Sequence, residues 1–180
     1  MGNPHIPRDD VHRWSEEAAD AEQLFKGTAT RLLRGQKRLL NFYNKNLPAT
    51  DGQTGEVSIY LLSVVIRIYD RAGGRLNKVN GAQINAAASK IGGMTDALLP
   101  FDDDFPSRVR EVADRAQPHI LDEALWALFE RDEKKDGEVN VDPEQAGLIF
   151  LMLWVATEAL DQAWKPPKGF EGVDAQADEA

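Results

Sequence analysis

The first 47 residues show a regular alternation of apolar and polar positions. Apolar side chains, with one threonine among them, recur at spacings of three and four and form a stripe: Val11, Trp14, Ala18, Ala21, Phe25, Thr28, Leu32, Leu39 and Phe42. No proline occurs between Pro7 and Pro48, and the only two glycines there are Gly27 and Gly35. The pattern predicts one long amphipathic helix from about residue 10 to residue 47, with the two glycines as candidate break points.

The segment 56–72 is rich in β-branched residues, which taken alone would favour a strand. Its polar residues instead fall on one narrow helical face: Ser63, Arg67, Asp70 and Arg71. The pair Gly73-Gly74 then provides a typical helix end. We therefore predict a buried helix over 56–72, after a turn-rich loop at 48–55.

Capping residues predict three further helices in the middle of the chain. Asn80 is a typical N-cap, and Gly92-Gly93 is expected to end the helix that it begins. Pro106 precedes one predicted helix, and Pro118 is well placed at the first position of another. The resulting helices cover 81–91, 107–117 and 118–129.

The last predicted helix, 143–164, begins with Asp142 as N-cap and Pro143 at its first position. Its apolar run at 146–156 has eleven residues, fewer than the roughly 20 needed to span a bilayer, and its middle turns lack a polar face. We therefore expect this helix to lie buried at the centre of the core. The predicted core residues are Leu61, Val64, Val65, Ile68, Ile120, Leu121, Leu125, Leu128, Leu148, Phe150, Leu151, Leu153 and Trp154.

Together these elements predict an all-α, single-domain bundle of about six helices. The domain is expected to cover 9–164, between a flexible N-terminus at 1–8 and a mobile acidic tail at 165–180. The chain contains no cysteine, which excludes disulfides and thiolate chemistry. Its first residues lack the pattern of a secretory signal, so we expect a cytoplasmic protein.

The sequence carries few groups suited to catalysis. It has three histidines and none of the common nucleotide-binding, metalloprotease or hydrolase motifs, so an enzyme is disfavoured and no cofactor is predicted. The acidic triplet Asp102, Asp103 and Asp104 is a candidate for carboxylate-based acid–base work, but the preferred interpretation is a solvated loop with an N-cap function. His119, beside Pro118, is expected to be a surface or capping residue.

One stretch resembles a calcium-binding EF-hand loop, with Asp132, Asp136 and Asn140 at ligand positions. Lys134 occupies a third ligand position, and Pro143 stands where a bidentate glutamate belongs. We therefore expect no metal site there, and a helix connection that turns near Asp136-Gly137.

Charge is distributed unevenly along the chain, whose net charge is −9. Residues 23–95 contain eleven lysines and arginines against three acids. On a continuous helix, Arg31, Arg34, Arg38 and Lys45 share one sector away from the apolar stripe. The preferred interpretation is that this face pairs with acidic protein surface in this chain or in a partner. The alternatives are binding of nucleic acid or another polyanion, and simple solvation of the charges.

The preferred hypothesis is a non-enzymatic helical interaction protein, an adaptor, assembly or inhibitor-type factor. A whole helix over 10–47 would be about 57 Å long, against a domain diameter of about 40 Å, and would therefore overhang or break. An overhanging end would expose Val11, Trp14 and Ala18 to a partner or to a second copy. A homo-oligomer is thus expected, and the alternatives are a polyanion-binding protein and a carboxylate-based enzyme or calcium-responsive protein.

Overall fold

The computed structural model describes residues 2–47, 52–131 and 141–172. Within them the fold is all-α, as predicted, with a tiny two-stranded sheet. The helices are α1 Arg8–Asp20, α2 Glu22–Arg34, α3 Lys37–Asn46, α4 Gly52–Ala72, α5 Gly81–Leu98, α6 Phe105–Arg110, α7 Pro118–Leu125 and α8 Pro143–Ala163. A π-helical turn, Trp126–Glu130, extends α7. The strands β1 Arg75–Leu76 and β2 Trp164–Lys165 pair antiparallel.

Helix α8 lies at the centre of the bundle, as its apolar composition predicts. It packs against α4, α5 and α7, and Phe150 and Trp154 are fully buried. Asp142 caps it by accepting a hydrogen bond from the Gln145 amide at 2.9 Å. Helix α8 is long and apolar enough to cross a membrane, but 83% of its most apolar 18-residue stretch is buried inside the molecule.

Most of the predicted core residues are confirmed as buried. Leu61, Leu128 and Leu151 pack against the core from partly buried positions, and Leu148 is half-buried. The remaining nine are fully enclosed: Val64, Val65, Ile68, Ile120, Leu121, Leu125, Phe150, Leu153 and Trp154. The apolar periodicity of the helices is therefore sufficient to identify the centre of the core.

The long N-terminal helix is broken into α1, α2 and α3. The break at Gly35 is confirmed, but Gly27 lies exposed inside α2, and the other break falls at Ala21, whose φ of −108° and ψ of 43° leave the helical region. Breaking there allows α1 to pack on α4 and α7 while α2 packs on α4. An overhanging helix end therefore does not occur.

One predicted helix start and two predicted helix ends were wrong. Helix α4 begins at Gly52, inside the predicted loop at 48–55, because Thr54 and Gly55 are already buried in the bundle. Helix α5 continues through Gly92-Gly93 to Leu98, because Ile91 and Leu98 both reach the core and neither glycine adopts a positive φ. Helix α6 ends at Arg110 instead of residue 117. The guanidinium of Arg115 donates to the carbonyls of Arg110 and Val112 at 3.4 and 3.1 Å, which satisfies backbone groups that a longer helix would have paired.

Both ends of the described chain are attached to the domain, although we expected them to be flexible. The side-chain amide of Asn3 donates to the backbone carbonyls of Asp161 and Trp164 at 2.7 and 3.0 Å, and Ile6 is fully buried. At the other end, the Phe170 ring packs edge-on against Trp164 at 5.4 Å. Residues 173–180 of the predicted acidic tail lie outside the described residues.

Candidate anion-binding site

The apolar residues predicted to bind a partner are buried within this chain. Val11, Trp14 and Ala18 are 0%, 8% and 1% exposed. They lie on α1, which packs against α4 and α7. In this conformation the stripe of α1 stabilises the domain and does not present a surface for a second molecule.

The predicted basic residues lead instead to a pocket beside the break between α2 and α3. Arg34 ends α2, Lys37 and Arg38 begin α3, and Lys78 lies in the segment between β1 and α5. These four side chains, with Gly35 and Val79, line a cavity of about 190 Å³. We call the four cations the basic pocket. Arg31 and Lys45 are exposed on α2 and α3 but do not line it.

A buried glutamine holds the two sides of the basic pocket together. Gln36 is 5% exposed, and its side-chain oxygen accepts a hydrogen bond from the Val79 amide at 2.9 Å. Its side-chain nitrogen donates to the Asn77 carbonyl at 3.0 Å. Lys78 lies between these two contacts, so its backbone is fixed against the start of α3.

The same segment is attached to the core from its other side. The Asn77 amide donates to the Ala163 carbonyl at 3.0 Å, next to the β1–β2 pairing. Gly74, with φ of +73°, allows this approach, because a Cβ there would lie 2.1 Å from the Lys165 carbonyl oxygen. The pocket is therefore formed by backbone that is anchored on both sides, which favours a preformed site.

The cations of the basic pocket have no acidic partner among the described residues: none of the four makes an ion pair or a side-chain hydrogen bond there. Other cations of the same basic region are paired. Arg31 lies 3.8 Å from Asp70, and Arg71 lies 3.3 Å from Glu17. Pairing within the chain thus involves cations at the periphery of the basic region, whereas the four cations of the pocket pair with no acid in the described part of the chain.

Backbone groups add to the positive potential of the pocket. The hydrogen bonding of α3 begins with the Leu40 amide, which donates to the Gln36 carbonyl at 3.1 Å. The start of α3 has no side-chain cap, because the side chain of Gln36 bonds to Asn77 and Val79 instead. Arg38 also reaches the beginning of α5, where its Nη1 lies 3.3 Å from the position a Gly81 Cβ would occupy. Helix N-termini carry partial positive charge, so the start of α3 adds to the charge of the four cations.

Sequence reasoning identified Arg34 and Arg38 but missed Lys37, Lys78 and Gln36. Gln36 had a readable signal, because it stands four residues after Leu32 and three before Leu39, at a position where the stripe requires an apolar residue. A polar side chain at such a position indicates a buried hydrogen-bonding role. Lys78 gave no local signal, since it comes from a segment 40 residues or more along the chain.

Within the acidic triplet, the carboxylate of Asp102 forms hydrogen bonds inside its own loop and with α6. Asp102 accepts a hydrogen bond from Arg108 at 2.7 Å and another from the Asp104 amide at 3.1 Å. The Arg108 bond, and to a lesser extent the Asp104 amide, hold the pKa of Asp102 below its ordinary value. A carboxylate stabilised in this way is a weak general base, which favours the simple loop interpretation over acid–base catalysis.

Two buried carboxylates of α8 form a polar cluster that the apolar pattern does not reveal. Glu158 accepts from the Trp154 indole at 3.1 Å and lies 3.1 Å from Lys90. Asp161 accepts from the Gln117 side chain at 2.9 Å, and burial raises the pKa of its carboxyl. Because protein groups satisfy both carboxylates, the cluster joins elements of the core and offers no open coordination position.

Metal-binding geometry is absent from the described part of the chain, where no group of three or more histidine, aspartate or glutamate side chains could hold an ion. The calcium-loop candidates Asp132, Asp136 and Asn140 lie outside the described residues. His119, expected at the surface, is 7% exposed, and its ring packs edge-on against His5 at 6.2 Å. Its expected surface position was therefore wrong.

Comparisons with protein-family models, with curated proteins and with solved structures gave no match.

Proposed function

We propose that this protein is a non-enzymatic helical interaction protein that binds an acidic protein partner through the basic pocket and the exposed cations beside it. The observation that supports this function is that four cations without an acidic partner among the described residues line one anchored cavity. Such a charge arrangement raises the local concentration of anionic partners and fixes the register in which they bind. Arg31 and Lys45, exposed on the same two helices, extend the surface.

A protein partner is favoured over nucleic acid for two reasons. Of the two aromatic residues of α3 that could have stacked on a base, Tyr43 is fully buried, and Phe42 packs against the core from a partly buried position. The net charge of −9 also repels an extended polyanion wherever it leaves the basic surface. A short acidic segment of a protein avoids that repulsion because it needs to contact only this one face.

Self-association through α1 receives no support from the geometry, since the stripe that would form the contact is already covered. An oligomer that uses another surface stays compatible with the proposal. In this proposal the acidic partner is a different protein, and the basic pocket is the contact that defines it.

A titration with two probes tests the proposal. A glutamate-rich peptide labelled with a fluorophore should bind saturably, and duplex DNA of equal charge should bind more weakly at the same salt concentration. The double variant Arg34→Gln/Arg38→Gln should lose at least about tenfold in peptide affinity, a change of roughly 1.4 kcal/mol. Lys26→Gln is the matched control, because Lys26 is exposed on α2 and does not line the pocket.

If DNA binds more tightly than the peptide, the acidic-protein proposal is wrong and nucleic acid becomes the favoured partner. The loss of peptide affinity per charge removed should be larger in the double variant than in Lys26→Gln. Equal losses per charge would show that net charge, and not the pocket, governs binding.

A further inference from the structure

The geometry points to a more specific occupant: we infer that the basic pocket binds a single dianionic phosphomonoester group. This inference concerns the cavity lined by the exposed side chains of Arg34, Lys37, Arg38 and Lys78, not the wider surface that would meet an acidic protein. It uses the same residues as the proposed function but does not require a macromolecular partner.

The size of the cavity limits what can enter it. Pockets that enclose a whole small ligand typically measure about 300–1,000 Å³, whereas this one measures about 190 Å³. The cavity therefore suits one compact charged group, with the remainder of the ligand outside. A phosphate group on a larger molecule meets this requirement.

The donors around the cavity match phosphate chemistry. Arg34 and Arg38 supply planar guanidinium groups, which bind phosphate oxygens in a bidentate manner, and Lys37 and Lys78 supply compact ammonium charges. The uncapped amides of the first turn of α3 add backbone donors next to these side chains. Carboxylates form bidentate pairs with arginine too, but they carry only one charge against the four cations here.

The arrangement also favours a monoester over a diester. A phosphomonoester carries close to two negative charges above its second pKa of about 6, whereas a diester in a nucleic-acid backbone carries one. The four cations line one cavity, which suits a single group with two charges better than a series of singly charged diesters. Gln36 keeps Lys78 close to Arg34 and Arg38 before any ligand arrives, which reduces the entropy lost on binding.

Amide chemical shifts of the isotope-labelled full chain test the inference. Phenyl phosphate and inorganic phosphate should both shift the amides of Gly35–Arg38 and Lys78–Val79 saturably, with dissociation constants on the order of 1 mM. Dimethyl phosphate, a diester with one charge, should bind at least about tenfold more weakly. The affinity for phenyl phosphate should fall several-fold between pH 7.5 and pH 5, as the ligand loses its second charge near pH 6.

Variants separate the pocket from general surface charge. Arg38→Gln and Lys78→Gln should each weaken phenyl phosphate binding by at least about tenfold, and Lys26→Gln should leave it unchanged. Dispersed amide spectra will show whether each variant is folded. A phosphoserine peptide and ribose 5-phosphate, titrated in parallel, distinguish a phosphorylated side chain from a free sugar phosphate as the source of the group.

Three results would overturn the inference: no saturable shift at the pocket amides, binding of dimethyl phosphate as tight as that of phenyl phosphate, or equal losses in Lys26→Gln and Arg38→Gln. The proposed function fails separately. If the glutamate-rich peptide does not bind while phenyl phosphate does, the acidic-protein proposal is wrong and the phosphate site stands. If the glutamate-rich peptide binds while phenyl phosphate does not, the phosphate inference is wrong and the proposed function stands.

Discussion

Replacing Gln36 by leucine tests whether one side chain forms the pocket without contributing any charge. Leucine has a similar size and suits the apolar stripe, but it leaves the amide of Val79 without an acceptor. Val79 is 2% exposed, so water cannot easily replace the lost bond. Burying an unsatisfied donor costs about 1–3 kcal/mol, which a domain of typical stability, about 5–15 kcal/mol, survives.

Hydrogen exchange at the Val79 amide measures this cost directly. If the cost appears as local opening, Gln36→Leu should speed exchange at Val79 by about 5- to 140-fold, since 1.4 kcal/mol corresponds to a factor of ten. Phenyl phosphate binding should weaken as well, although all four cations remain. Gln36→Glu is the matched control for Val79 exchange alone, because it keeps an acceptor for the Val79 amide. It is not a control for phosphate binding, because it replaces the donor to Asn77 by a carboxylate oxygen and adds a negative charge beside the four cations. Val79 exchange at the wild-type rate in Gln36→Leu would refute the role given to this side chain.

Three further changes test other parts of the structure. Trp14→Ala should reduce the unfolding free energy by about 3–5 kcal/mol in denaturant melts and leave the mass measured by light scattering unchanged; the reverse pair of results would return α1 to the role of a partner surface. Trp154→Ala should cost about 3–5 kcal/mol or more, because it empties the centre of α8 and removes a donor to Glu158, and a loss below about 1 kcal/mol would contradict the packing. Asp161→Asn should gain stability relative to the wild type as pH rises, because a carboxyl whose native pKa is raised loses stability from its unfolded pKa, near 4, up to its native pKa. Melts of both proteins from pH 4 to pH 7 should show the difference in unfolding free energy shifting in favour of Asp161→Asn. A difference that stays constant with pH would exclude a raised pKa.

Signals that act locally were read correctly from the sequence. Asn80 forms a capping box with Gln83, and Asp142 caps α8, because a cap depends on residues within one turn. The central position of α8 followed equally directly from its composition, since a helix without a polar face has to be surrounded.

The features that were missed depend on contacts between distant segments. Ala21 is a good helix former, yet the chain breaks there because α1 packs on α7 as well as on α4. Gly92-Gly93 is a typical helix end, yet α5 continues because Leu98 reaches the core. In both cases tertiary packing outweighed a local preference of at most about 1 kcal/mol per residue.

The break between α2 and α3 connects the fold with the proposed site. A leucine at position 36 would have continued the apolar stripe and favoured a straight helix, whereas Gln36 requires two buried hydrogen-bond partners. Asn77 and Val79 provide them, and in doing so they bring Lys78 beside Arg34 and Arg38. Holding four cations together destabilises the free protein through their mutual repulsion, and no described acidic side chain offsets that repulsion. A bound anion would offset this repulsion, so a phosphate ligand at the pocket would stabilise the folded protein.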